Sequence, residues 1–319
     1  QFSSMLDRRA SAGFVRRCHG DLHLGNIVLW RGRPVLFDAL EFDDRLSSID
    51  TLYDTAFLLM DLDAAGHRPV ASLVLNRLYA GPQLNEALDG LAALPLMLAL
   101  RAAIRAMVGA ERADQEAAER RAADLARARD YLDAALRYLD PPPPELVAVG
   151  GFSGTGKSTL AAALAPGLGA APGALHVRAD VERKAMFGVD ERQRLPPEAY
   201  TPEAGERVYK GLMDKARRAL DAGHGVVIDA VFSRPGERAE VEAVAKTARV
   251  RFTGLWLEAR REVLMARVES RIADASDATA DVVEGQVSRG AGEVAWTTID
   301  AGGTATETLS AARSVLASR

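Results

Sequence analysis

Apolar residues recur with a helical period over roughly residues 49–63, 69–80, 85–110 and 114–139, the spacing that lines one face of a helix. The last stretch, QEAAERRAADLARARDYLDAALRYL, keeps Leu125, Leu132, Leu136 and Leu139 near one face with charge elsewhere, the pattern of a helix that packs by its leucines. Ahead of these helices, Ile27–Trp30 and Pro34–Phe37 are strand-like runs on either side of Arg31-Gly32-Arg33, and predict a hairpin.

The pattern changes at Pro141 to Pro144. Consecutive prolines cannot continue a helix and favour an extended spacer of roughly 12 Å. Beyond them ELVAVGG (145–151), ALHVRAD (174–180), GVVIDAVF (225–232), RFTGLWLEA (251–259) and EVAWTTIDA (293–301) read as apolar strands, with helical stretches between them such as 202–221. Continuous apolar strands alternating with helices predict a parallel sheet covered on both faces. The expected organisation is a mainly α-helical region over 1–140, a proline linker at 141–144 and an α/β domain over 145–319.

With 319 residues, 48% hydrophobic and 26% charged, the chain is in the range of two globular domains. The net charge of −4 argues against binding long nucleic acid, which needs an excess of Lys and Arg on one face. Cys18 is the only cysteine, so no internal disulfide forms and a cytoplasmic location is expected. LAALPLMLAL (91–100) is too short for a membrane span and carries a proline, so no membrane partner is expected. No signal peptide is visible, and the opening Gln1 suggests a fragment.

Residues 151–158, GFSGTGKS, form a complete G-x-x-x-x-G-K-[ST] loop between a strand and a helix. Such a turn aims backbone N–H groups at phosphate oxygens. Gly151, Gly154 and Gly156 allow the turn, with Ser153, Thr155 and Thr159 beside them; Lys157 neutralises the β and γ phosphates, and Ser158 offers a hydroxyl to Mg²⁺. The expected cofactors are ATP and Mg²⁺. Asp180, placed at the end of the second strand, is a candidate base for an attacking hydroxyl, although its position also suits a helix N-cap. Arg183 can hold the acceptor. Asp229 closes the third strand, where a carboxylate serves either Mg²⁺ or the acceptor. Arg260, Arg261, Arg267 and Arg271 follow the fourth strand and can close over the phosphoryl group, or form a solvated helix face.

GFSGTGKST, RADVERK, VVIDAVFSRPGER and RVESRIADASDAT resemble the P-loop small-kinase group, with its AAA-type ATP-binding domain, which includes gluconate-kinase-like and zeta-toxin-like enzymes and the kinase half of polynucleotide kinase. The resemblance covers about 145–319. It implies that Asp180 activates the acceptor hydroxyl, that Arg183 orients it, and that Arg267 or Arg271 belongs to a lid.

Upstream, His19-x-Asp21-x-x-x-x-Asn26 is followed by the hairpin and then Asp38. In this order Asp21 can accept a hydroxyl proton, Asn26 and Asp38 can hold Mg²⁺, and His19 can brace the loop. HGDLHLGNIVL and VLFDALEF resemble the aminoglycoside phosphotransferase family over about 15–140. That resemblance implies a kinase C-lobe, whose N-lobe carries a phosphate-pairing lysine. Lys157 is the first lysine of this chain, and Arg8 or Arg9 offers a different donor geometry. The expectation is that the missing lobe lies upstream and that residues 1–140 do not transfer phosphate alone.

The expected fold is thus an α/β P-loop NTPase sheet with flanking helices, preceded by a mainly helical C-lobe fragment. The expected function is transfer of the γ-phosphate of ATP to a hydroxyl of a small-molecule acceptor. Two alternatives are a nucleoside or polynucleotide 5′-hydroxyl kinase, and an ATP-binding switch with no acceptor. Neither the acceptor nor the oligomeric state is encoded in a motif.

Overall fold

The structure is a computed structural model and describes every residue except 1, 42, 82–84, 116, 271–274 and 319. The chain divides into two units, one of residues 1–75, 84–142 and 170–173, the other of residues 76–83, 143–169 and 174–319.

The first unit is mainly helical. Its elements are α1 (Ser3–Ser11), β1 (Val15–Arg17), β2 (Ile27–Trp30), β3 (Arg33–Leu36), α2 (Asp44–Ser47), β4 (Ser48–Asp50) and α3 (Thr51–Ala64); then come α4 (Arg68–Leu78), α5 (Asn85–Asp89), α6 (Leu94–Gln115) and α7 (Ala118–Leu139). β1 pairs antiparallel with β4. β2 and β3 form the expected hairpin with a turn one residue shorter than the sequence suggested: Trp30 pairs with Arg33, and Arg31 and Gly32 take φ of 51° and 74°. Positive φ at both central residues is the turn that matches the strand twist. Asp50 caps α3 through the Leu52 N–H and receives a two-pronged ion pair from Arg9, both contacts at 2.7 Å. Arg9 also donates to the carbonyls of Glu86 and Ala87 and is only 1% exposed. It is a structural tie, not a stand-in for a phosphate-binding lysine.

Two helical expectations for this unit are corrected, and with the first goes the expected absence of a membrane-length run. The stretch 85–110 is not one regular helix: α5 gives way to a 3-10 turn at Gly90–Ala93, and α6 restarts with Pro95 in its first turn, where proline costs no hydrogen bond. Taken together, 85–115 is long and apolar enough to cross a membrane, with a mean hydropathy of 1.8 in its best window, against the expectation of no such run. The difference arises because the helix continues well past 100 through alanines. In the structure, 44% of that window is buried, and α6 packs on α3 and α7.

The second correction concerns α7. Leu132, Leu136 and Leu139 are 50–60% exposed, while Ala128, Ala134, Ala135 and Tyr138 are buried. The small side chains let α6 and α7 approach closely: a Cβ on Gly109 would lie 3.4 Å from that of Ala128. The tyrosines tie α7 to α3, Tyr131 donating to Asp61 and Tyr138 to Asp63, both at 2.7 Å.

The second unit is α/β. β5 (Glu145–Gly151), β6 (Leu175–Arg178), β7 (Val226–Asp229), β8 (Arg251–Glu258) and β9 (Thr297–Asp300) form one parallel sheet in the order β6-β7-β5-β8-β9. Its helices are α8 (Lys157–Leu164), α9 (Ala179–Met186), α10 (Pro202–Asp221), α11 (Pro235–Ala248), α12 (Arg261–Glu269), α13 (Ala280–Arg289) and α14 (Ala305–Ala317). Val147 and Val149 of β5 are fully buried between Leu160 and Leu164 of α8, Val227, Leu255 and Ile299 of the neighbouring strands, and Ala312 of α14. β5 is central, and the chain builds first on one side of it and then on the other. Such a switch point places the carboxyl end of the strands as the ligand crevice.

Candidate functional site

The glycine-rich loop leaves β5 at that switch point. Gly151, Gly154 and Gly156 take φ of 137°, 87° and 88°, in the region that favours glycine. At Gly154 a Cβ would stand 2.7 Å from the Leu264 carbonyl oxygen, so the loop packs directly on α12. Gly156 is the N-cap of α8, and Lys157 and Ser158 open that helix. A helix N-terminus with free N–H groups favours an anion. Lys157 Nζ donates to the Phe152 carbonyl at 3.0 Å, and Thr155 Oγ1 donates to the same oxygen at 2.8 Å. The Ser153 N–H donates to Gln286 Oε1 of α13 at 2.8 Å.

Next to the loop, a cavity of about 730 Å³ is lined by Lys157, Ser158, Asp180, Arg183, Asp229 and Arg267, among others. Five residues picked out in the sequence for phosphate or acceptor chemistry, on four different elements, therefore share it with the phosphate loop's lysine. Asp180 is not at the end of a strand as expected: β6 stops at Arg178, and Asp180 is in the first turn of α9, whose N-cap is Arg178. Burial pushes the Asp180 carboxyl above the usual carboxylate range and the Asp229 charge adds to the rise, against the pull of Lys157, a Ser276 hydrogen bond and Arg178. Asp229 goes the other way. Burial would raise it, but His176, Lys157 and a hydrogen bond from Ser158 outweigh that and hold it below the usual range. The two carboxyls thus shift in opposite directions, Asp180 towards holding its proton and Asp229 towards losing it.

Ser158 and Asp229 are in hydrogen-bond contact, and both are oxygen donors of the kind hard divalent cations take. They fit Mg²⁺ at a site that uses one carboxylate and leaves the remaining positions to phosphates and water.

Arg267 lies in the same cavity, but its Nη1 and Nη2 donate to the carbonyls of Ala301 and Gly303, each at 2.7 Å. Arg261 pairs with Glu284, and Arg260 is the N-cap residue of α12. Arg271 lies outside the described residues. Behind the phosphate loop a second hollow of about 340 Å³ is bounded by Thr155, Thr159, Arg267, Gly303 and Thr304.

The sequence did not single out His176, Ser276, Asp277 or Gln286, nor Arg194 and Tyr200 on the cavity wall. Only the DASDAT stretch offered a signal, as a polar run beside the arginines.

In the first unit the loop around Asp21 is held by a residue the sequence analysis passed over. Buried Asp54 of α3 accepts the backbone N–H groups of His19 and Gly20 at 3.1 and 2.9 Å. An acid at the start of the apolar run of α3 was the available signal. His19 Nε2 is 2.9 Å from the Phe37 carbonyl oxygen. Asn26 Nδ2 donates to the Asp21 carbonyl and carboxylate at 2.9 and 3.1 Å, and the Asp21 side chain is 39% exposed. Asn26 precedes β2, and Asp38, exposed and with a φ of 61°, follows β3, so the two flank the open end of the hairpin. Among the described residues no group of three or more His, Cys, Asp or Glu side chains is gathered as a metal site.

Residues 146–291 match the family model described as AAA domain. Uncharacterized protein Rv2004c of Mycobacterium tuberculosis (strain ATCC 25618 / H37Rv) and Uncharacterized protein Mb2027c of Mycobacterium bovis (strain ATCC BAA-935 / AF2122/97) are each 33% identical to this chain over 285 residues. The match takes in 88% of this chain and 55% of each relative, so the chain spans about half the length of the curated relatives it matches. Among solved structures, a gluconokinase from Sinorhizobium meliloti 1021 aligns with 55% of this chain and 92% of its own, at 19% identity and a TM-score of 0.40. The APS kinase CysC of Mycobacterium tuberculosis, in complex with AMPPNP and APS, aligns with 55% and 99%, at 14% identity and a TM-score of 0.36. On the family match alone, residues 146–291 form a P-loop domain of the AAA type, which implies nucleotide binding.

Proposed function

We propose that the second unit is an ATP-dependent kinase that transfers the γ-phosphoryl group to a hydroxyl of a small-molecule acceptor. The observation that carries this reading is Asp180: a half-buried carboxyl in one cavity with Lys157 and Asp229, with its pKa raised. A switch that only binds nucleotide has no use for such a base.

The phosphates lie in the loop at the N-terminus of α8, with Lys157 turning from the Phe152 carbonyl to the β and γ oxygens. The adenine of ATP occupies the hollow between Arg267, Gly303 and Thr304, where Arg267 and its carbonyl partners form a fixed wall. Ser158 and Asp229 would hold Mg²⁺, which when bound neutralises charge on the β and γ phosphates. The acceptor occupies the far end of the larger cavity. Asp180 takes the hydroxyl proton as the acceptor oxygen bonds to the γ-phosphorus. The bond from that phosphorus to the β–γ bridging oxygen breaks, and its electron pair leaves with ADP. The protein's part is positioning and charge stabilisation. Residues 1–140 we read as a phosphotransferase-like region that is not the transfer site.

The test is transfer of γ-labelled phosphate from ATP to a pooled set of hydroxylated metabolites, nucleosides and short 5′-hydroxyl oligonucleotides. A labelled product is expected with the wild-type chain and with Asp21→Ala, and none with Lys157→Ala or Asp180→Asn. Product formed equally well by Asp180→Asn, or lost in Asp21→Ala alone, contradicts the assignment.

A further inference from the structure

α13 approaches the phosphate loop from another part of the chain. It carries Val283, Gln286 and Val287 at i, i+3 and i+4, on a single face. Val283 is fully buried in a cluster with Leu264 and Val268 of α12, and Phe152 and Val287 pack against that cluster. Phe152 is the loop residue just before Ser153. The two valines thus seat α13 beside the loop, and Gln286 on the same face meets the loop's backbone, its Oε1 accepting the Ser153 N–H at 2.8 Å. The residues leading into α13 are fixed as well. Asp277 accepts from Lys184 Nζ at 2.9 Å, from the Leu195 N–H at 3.0 Å and from the Tyr200 hydroxyl at 2.6 Å, and Ser276 is hydrogen-bonded to the Asp180 carboxyl. One segment, 276–286, therefore touches both the proposed base and the phosphate loop.

The contact at Ser153 differs from the others in the loop. The Thr155 N–H, the Thr155 hydroxyl and Lys157 Nζ all turn inward to the Phe152 carbonyl, whereas the Ser153 N–H is taken by a side chain of another element. A backbone N–H can only donate, so the oxygen of the Gln286 amide faces it and the NH₂ is the other end. Among the described residues that NH₂ has no hydrogen bond. Gln286 lines the cavity together with Lys157, Ser158 and Asp180. A phosphoryl group in transfer lies between the loop that holds its phosphates and the base that activates its acceptor, the two parts that segment 276–286 joins. Satisfying a buried N–H takes only an acceptor. Glutamine adds two donors without bringing a negative charge up to the phosphates.

We infer that Gln286 donates through its side-chain NH₂ to an oxygen of the γ-phosphoryl group, so that the site tells a nucleoside triphosphate from a diphosphate. The Ser153 N–H sets which end of the amide faces the cavity, and Val283 and Val287 set where it stands. This deepens the kinase reading and rests on it for the word transfer, while the contact itself is a matter of nucleotide binding. Ser276 and Asp277 are positioning residues, acting through Asp180 and through the wall at Leu195 and Tyr200.

The experiment is calorimetric titration of the full chain, in Mg²⁺, with ADP and with the non-hydrolysable β,γ-imido analogue of ATP. Two variants separate the donor from the acceptor end of the amide. Gln286→Glu keeps an oxygen for the Ser153 N–H but has no NH₂ and sets a like charge against the γ-phosphate. Gln286→Met keeps the length of the side chain and removes both ends. Each variant is expected to bind the analogue about tenfold or more weakly than wild type, and ADP within about threefold of wild type, the pattern of a lost hydrogen bond to a charged group at the γ position alone. A Gln286→Glu variant that binds both nucleotides as wild type does would overturn the inference, since the residue would then only satisfy the loop's N–H. Gln286→Met weakening ADP and the analogue alike, or a wild-type chain that does not bind the analogue, would overturn it too. An analogue bound through Gln286 in a chain that labels no acceptor from ATP would instead count against the kinase reading and leave the contact standing.

Discussion

Asp180 is half-buried where loss of water makes a carboxylate costly, and the consequences can be read in two independent ways. The transfer step needs the ionised form, so the rate should fall as pH drops through a pKa that lies above the ordinary carboxylate range. Stability moves in the opposite sense. A carboxyl whose folded pKa is raised binds its proton more tightly folded than unfolded, so stability is lost as pH rises from the ordinary value through the raised one. Asp180→Asn should therefore raise the melting temperature at pH 8, and the gain should vanish below the usual Asp pKa. A melting series across pH checks this; no gain at pH 8 would mean that the carboxyl is not held in a costly place. Arg9 is the counterpart in the first unit. Its pair with Asp50 is almost fully buried, so Arg9→Ala leaves a carboxylate without its partner and should cost about 3–5 kcal/mol, read by denaturant unfolding. Most individual residues of the site were legible because the phosphate loop is a contiguous motif with a fixed role for each position. Asp54, Asp277 and Gln286 were not, because each acts through a partner far away in sequence, as when Gln286 meets the N–H of Ser153.

At the scale of elements, periodicity located the helices and the strands but not always the face that packs. In α7 the leucine stripe suggested the seam, yet close approach to α6 favours alanine and glycine, and Leu132, Leu136 and Leu139 are left exposed while Leu125 is half-buried. Leu132→Gln and Leu136→Gln should change stability by no more than about 0.5 kcal/mol. Ala128→Leu, opposite Gly109, should cost roughly 1–3 kcal/mol through overpacking. A reversal of that order in chemical denaturation would restore the leucine seam. The strands of the sheet were legible because a parallel strand buried on both faces is apolar throughout, whereas the place where β6 becomes α9 was not, since Arg178 and Ala179 suit either state.

For the molecule as a whole, the change from helical periodicity to alternating strand and helix was plain in the sequence. Which part handles nucleotide follows from where the phosphate loop sits. Hydrogen exchange with and without ADP and Mg²⁺ should show added protection over 151–160 and 301–308, the two sides of the hollow behind the loop. Residues 19–38 should be unaffected. Protection appearing in 19–38 instead would move nucleotide binding to the first unit.

The most direct test of the central claim compares Asp180→Asn with the wild-type chain in two readings taken together, the dissociation constant for ADP and the single-turnover rate of phosphate transfer to an acceptor found in the labelled panel. The expected result is an ADP affinity within about threefold of wild type and a transfer rate lower by about 10²–10⁴, the range for loss of a general base. Transfer that persists at the wild-type rate would contradict Asp180 as the base.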